Sequence, residues 1–107
     1  MRTRFYAENT SKYWKTLRSY AGVRMRRLAG RFARRVADMS VLIERLREPR
    51  GEDDWRCRID ASVAPFRRVI VETLDRNPFA ALDRAASRVS WNVAQLRRIE
   101  ETSRRAT

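Results

Sequence analysis

Apolar and polar positions alternate with a period of two, then repeat at helical spacing, then alternate again, and the points of change divide the 107 residues into elements. Thr3, Phe5 and Ala7 alternate with Arg2, Arg4 and Tyr6, predicting an opening strand that stops at the polar cluster Glu8-Asn9-Thr10-Ser11. Thr10 or Ser11 supplies a helix cap. From there to Phe32 the apolar stripe Tyr13, Leu17, Ala21, Met25, Leu28 and Phe32, edged by Trp14 and Tyr20, predicts an amphipathic helix. After Gly30 and the Arg34-Arg35 pair the alternation returns. Ala37, Met39, Val41 and Ile43 share one face of a strand that reaches about Arg45.

Glu48-Pro49-Arg50-Gly51-Glu52-Asp53 breaks that strand. Trp55, Cys57, Ile59, Ala61 and Val63 then alternate with Arg56, Arg58, Asp60 and Ser62, the cleanest half-buried strand pattern in the chain. Pro65 presets a turn, and residues 67–74 (RRVIVETL) form the return strand of a hairpin, with a register open by one residue. Asn77 is placed as N-cap and Pro78 as the first helical residue. Phe79, Leu82, Ala86, Val89, Val93 and Leu96 follow at steps of three and four, giving a second long amphipathic helix whose tail frays from Glu101. Helices with one apolar stripe and strands with one apolar face predict an α+β fold. It is a two-layer β-α-β-β-β-α sandwich with both helices on one face of a four-stranded sheet, the first two strands joined by a right-handed parallel crossover. Residues 1–100 form this single domain and 101–107 a flexible tail.

Charge changes the picture. Of 25 basic and 13 acidic residues, eleven basic ones precede residue 37 against Glu8 alone, so residues 1–36 carry +10, residues 37–76 carry −1 and residues 77–107 carry +3 of the net +12. Self-repulsion of this size disfavours the compact state and points to a polyanionic partner. Nearly all the basic residues are arginine, whose planar fork suits phosphate better than the point charge of lysine, although codon composition produces the same bias. On the first helix Lys12, Lys15 and Arg26 lie opposite the apolar stripe, flanked by Arg18 and Arg27, while Arg24 and Arg31 extend outward past its edge.

The same composition excludes several chemistries. Without histidine there is no Ser-His or Cys-His nucleophile and no usual zinc or iron ligand set, and lone Cys57 forms no internal disulfide. Cys57 sits on the core side of its strand and reads as an inert small hydrophobe, with Trp14 and Trp55 as core residues. The acids Glu52-Asp53-Asp54 read as a solvated loop, and no Gly-rich phosphate loop, CxxC or HExxH pattern is present. No apolar run approaches the length of about eighteen residues needed to span a membrane, and Met1-Arg2-Thr3-Arg4 is not followed by the apolar stretch of a secretory signal. A cytoplasmic protein that is not an enzyme and holds no cofactor or structural metal is expected.

Asn77-Pro78-Phe79-Ala80-Ala81-Leu82-Asp83 resembles the Asp-Met-Tyr-Ala-Ala-Ile-Asp opening of the last helix in the hibernation promoting factor and ribosome-associated inhibitor family. Asn9, Leu17-Arg18, Tyr20, Met25, Leu28 and Phe32 match that family's first helix. Met39-Ser40-Val41-Leu42-Ile43 matches its second strand, and the likeness runs almost without gaps to about Arg98. The resemblance implies a short-form stationary-phase and stress factor, monomeric off the ribosome. Such a factor binds 16S rRNA in the decoding channel of the small ribosomal subunit and blocks the messenger and transfer RNA sites. The family's basic positions look like Arg24 and Arg27 in the first helix and Arg88 and Arg97 in the last. Three departures stand out: Trp91 replaces a frequent basic residue, Ala64-Pro65-Phe66-Arg67 replaces a Gly-rich turn, and Glu44 replaces a lysine. A short form, without the long form's dimerisation domain, is expected.

The expected rRNA contacts are Lys15, Arg18, Arg24, Arg26, Arg27, Arg31, Arg84, Arg88, Arg97 and Arg98, together with Trp91. Any one of these arginines reads equally as a solvated surface charge, and the cluster is the firmer expectation. Trp91 projects away from the stripe, either to stack on an unpaired base or to pack against a neighbouring arginine or a protein. Two other classes fit the same pattern. One is a double-stranded-RNA module, which also packs two helices on a sheet. The other is a basic surface for an acidic protein or anionic lipid, against which stands the aromatic stripe already needed by the core.

Overall fold

A computed structural model describes residues 2–7, 13–32, 34–47, 53–64 and 67–106. Its elements are β1 (Arg2–Ala7), α1 (Trp14–Phe32), β2 (Val36–Arg47), β3 (Asp53–Val63), β4 (Arg67–Asp75) and α2 (Pro78–Ala106). The strands lie in the order β1-β2-β3-β4 in one sheet. β1 runs parallel to β2, with Thr3 beside Met39 and Ala7 beside Ile43, as a crossover through α1 requires. β2, β3 and β4 form an antiparallel meander in which Val41, Ile59 and Val71 stand side by side. α1 packs over β1 and β2, α2 over β3 and β4, and the helices touch each other. The result is the expected two-layer sandwich, a slab measuring 55 × 26 × 18 Å.

The core forms where the two stripes meet the inner sheet face. Leu17, Ala21, Met25, Leu28 and Phe32 of α1 are buried, as are Leu82, Ala86, Val89 and Val93 of α2, while Phe79 and Leu96 pack at the rim. Every inward position expected on β3, from Trp55 to Val63, is buried. Burial pushes the Cys57 thiol up to about 12, which leaves it protonated and unreactive as a folded-state nucleophile.

Three positions differ from expectation. Ala37 is exposed and Val36 is buried instead, because the β2–β3 register shifts between Val36 and Asp38 and this irregularity inverts the parity of the strand. Tyr13 is 42% exposed and leans edge-on against Phe79 at 6.5 Å, so the buried stripe of α1 begins at Leu17. Trp14 is half-buried at the helix start rather than a core residue. In β4 the register resolves with Val69, Val71 and Thr73 inward and Ile70 and Leu74 outward. Buried Thr73 is tolerated because its hydroxyl donates to the Ala81 carbonyl at 2.6 Å, tying β4 to α2.

The start of α2 is built as read. Asn77 Oδ1 accepts from Phe79 N at 2.9 Å and Ala80 N at 3.4 Å, while Asp75 Oδ1 accepts from Asn77 N at 2.9 Å. At the other end α2 is helical through Ala106, and Thr102 Oγ1 donates to the Arg98 carbonyl at 2.9 Å. The Thr10 or Ser11 cap, the Pro49-Gly51 break and the Pro65 turn lie outside the described residues.

Candidate nucleic-acid interface

The two faces of the slab treat their charges differently. On the outer sheet face the antiparallel register sets Glu44 opposite Arg56, Arg58 opposite Glu72 and Arg68 diagonal to Asp60. All three pairs form. Arg56 bonds Glu44, Arg58 lies 3.7 Å from Glu72, and the Arg68 Nε donates to Asp60 at 2.7 Å. The hydrogen bond from Arg68 holds the Asp60 carboxyl below its ordinary pKa against the opposing effect of burial. Such cross-strand pairs add modest stability. They also cancel charge locally on β2, β3 and β4, while Arg2 and Arg4 of β1 and Arg67 of β4 stay exposed.

The helical layer is not neutralised in this way. α1 contains no carboxylate at all, and Lys15, Arg18, Arg26, Arg27 and Arg31 are exposed on it. Between the helices runs a trough whose α2 wall is made of the small side chains Ala86, Ser90 and Ala94. One hollow of about 210 Å³ is bordered by Arg24, Arg27 and Arg31. A second of about 350 Å³ is bordered by Arg31, Arg97 and Arg98, and a third of about 390 Å³ by Arg31, Arg34, Arg35 and Arg97. Arg31 borders all three, so they adjoin one another along a largely cationic channel between the helices, with Glu101 at the edge of the second hollow.

Internal pairs sort the arginines further. Arg24 lies with Nε 3.4 Å from Asp83 Oδ1 and donates through Nη2 to the Asp83 carbonyl at 3.4 Å, while the Tyr20 hydroxyl donates to the same carboxylate at 2.6 Å. This hydrogen bond, helped by burial, raises the Tyr20 pKa. Arg24 is thus a strut between helices with one edge in the channel. Arg35 makes a two-pronged pair with Glu100, both contacts at 2.9 Å, fastening the α1–β2 turn to α2. Arg84 donates to the Leu74 carbonyl at 2.8 Å, near Asp75. Arg97 stands 3.5 Å from Glu101 in an exposed pair of small energetic weight, and Arg31 lies over the Phe32 ring at 5.3 Å.

Of the expected contacts, the structure therefore brings together Arg24, Arg27, Arg31, Arg97 and Arg98. Lys15, Arg18 and Arg26 fall on sides of α1 turned away from α2 by the 3.6-residue repeat. Arg84 and Arg88 border a separate hollow of about 400 Å³ beside β4, and Trp91 stands on the outer side of α2. Among the described residues, Lys15, Arg18, Arg26, Arg27, Arg88 and Arg98 have no carboxylate partner. Arg34 and Arg35 were not among the expected contacts. The signal for them was present as a basic pair just after Gly30, where the turn out of α1 delivers both to the end of the channel.

No protein-family model matches this sequence, and no curated protein is similar to it in sequence. Solved structures are similar in shape. The N-terminal domain of Thermus thermophilus Protein Y superposes with a TM-score of 0.70 at 23% identity, covering 90% of this chain and 99% of that one. The chain has the Protein Y fold. A ribosomal subunit interface protein from Coxiella burnetii superposes equally well, with a TM-score of 0.71 over 91% of this chain and 98% of that one, at only 6% identity. At such identities the likeness is one of fold alone. A functional assignment has to rest on the surface.

Proposed function

We propose that this chain is a ribosome-associated factor that seats its helical layer on 16S rRNA in the decoding channel of the small subunit and keeps messenger and transfer RNA out. The observation that carries the reading is the arginine channel between α1 and α2, set opposite a sheet that pairs Arg56, Arg58 and Arg68 with carboxylates. Two further supports agree with it. The sequence resembles the hibernation promoting factor family, and the Coxiella neighbour is described as a ribosomal subunit interface protein.

The mechanism needs no bond-making chemistry. Arginines along the channel take phosphate oxygens by charge-assisted hydrogen bonds, and the affinity is electrostatic and sequence-independent. Small side chains on the α2 wall let a phosphate backbone approach closely. Position in the rRNA cleft comes from the shape of a rigid slab, because base edges of folded RNA are largely hidden from side chains. Once seated, a body 55 Å long excludes competing RNA by volume alone. The protein works in the cytoplasm as a monomer off the ribosome. Filter retention of labelled transfer RNA on purified small subunits tests the exclusion step: saturating protein reduces retention to background, and undiminished retention would remove that step.

A further inference from the structure

Trp91 is 64% exposed, more than any other large apolar side chain among the described residues. It follows Ser90, which lines the channel, with Arg88 one turn before it and Arg84 and Arg98 two turns to either side. The arginine-on-ring contacts seen among the described residues fall on Phe32 and Trp55, and none engages Trp91. Trp91 is therefore neither a core residue nor half of an internal cation–π pair. A phosphate site has no electrostatic use for an indole, which is uncharged and offers a single N–H donor. A protein-docking surface is depleted of charge at its centre, whereas this indole shares its side of α2 with Arg84, Arg88 and Arg98.

We infer that Trp91 is a stacking platform for an unpaired RNA base, on the same side of α2 as the channel-bordering Arg98, so that a single strand places phosphates against Arg97 and Arg98 and one base flat on the indole. The inference rests on the reading that the channel takes RNA, and it adds a preference for single-stranded over fully paired segments. Every base has a π-face, so the contact tolerates sequence, and it depends on stacking strength rather than on hydrogen-bond readout.

Tryptophan emission tests this directly. The full chain carrying Trp14→Phe and Trp55→Phe reports on Trp91 alone; if that variant does not fold, the difference between the unmodified chain and Trp91→Phe gives the same signal. A short oligoadenylate is expected to quench the emission, while inorganic polyphosphate binds without quenching. Trp91→Ala is expected to weaken oligoadenylate binding by about tenfold or more, with polyphosphate affinity and thermal unfolding unchanged and Trp91→Phe retaining most of the affinity. Equal oligoadenylate affinity of Trp91→Ala and the unmodified chain would overturn the stacking role and leave the channel reading intact. Equal losses for both ligands would show a structural role and overturn it too. Absence of binding to either ligand would overturn the inference together with the channel reading.

Discussion

Reversing Arg27, Arg31 and Arg98 together to glutamate is expected to abolish binding to small ribosomal subunits while leaving the domain folded. These side chains border the channel, and neither Arg27 nor Arg98 has a carboxylate partner among the described residues, so reversal breaks no internal ion pair. Each charge-assisted bond to phosphate contributes roughly 1.5–3 kcal/mol, so losing three weakens binding by roughly a thousandfold or more. The slope of log affinity against log salt falls by about one for each contact removed. A control separates local from overall charge. Reversing Arg2, Arg4 and Arg67 changes the net charge equally but acts on the sheet layer, where none of the three has a carboxylate partner among the described residues, and it is expected to leave most of the affinity. Arg24 is deliberately left out of the set, because a glutamate there would face Asp83 and strip Tyr20 and α2 of their strut. Nitrocellulose retention of labelled subunits, with circular dichroism on each variant, measures both effects.

Leu82→Ala carries the largest expected loss of stability. Leu82 is fully buried at the first turns of α2, where that helix lies on β3 and β4. Truncation there loses the transfer energy of the removed methyl groups and leaves a cavity that the sheet, hydrogen-bonded across four strands, fills only in part. A cost of about 3 kcal/mol follows, a large share of the roughly 5–15 kcal/mol that holds a domain of this size together. Urea unfolding is expected to show a lower midpoint with an unchanged slope. Ile99→Ala, at a position 59% exposed, is the comparison and should move the midpoint little.

Much of this fold is written in local pattern, because period is a property of neighbours in the chain. β3 is legible from Trp55 to Val63 since a strand with one buried face repeats every two residues, and α2 is legible because Asn77 and Pro78 announce its start chemically. Parity fails where the sheet intervenes. The register shift at Val36 and Asp38 depends on pairing with β3, so nothing near Ala37 betrays that it faces outward. The run Val69-Ile70-Val71 has β-branched residues on both faces, and only the hairpin register decides which pair is buried.

The candidate site divides in the same way. A first helix rich in arginine and lacking any carboxylate is visible in the sequence as a cationic face. Which arginines remain available is not visible, because the deciding partners are remote: Asp83 lies 59 positions from Arg24, and Glu100 lies 65 from Arg35. Folding turns two of these arginines into struts and gathers Arg27, Arg31, Arg97 and Arg98 along one channel. Lys15, Arg18 and Arg26, equally basic in sequence, end on other sides of α1 because helical geometry spreads them around the axis.

The proposed function requires this channel to grip rRNA of the small subunit through phosphate contacts. Sedimentation of the full chain with purified small subunits, repeated over a series of salt concentrations, tests it most directly. The protein is expected to travel with the subunit at low salt and to be released steeply as salt rises, with roughly one unit of log–log slope for each phosphate engaged. Protein remaining at the top of the gradient at every salt concentration, or bound with no dependence on salt, would contradict it.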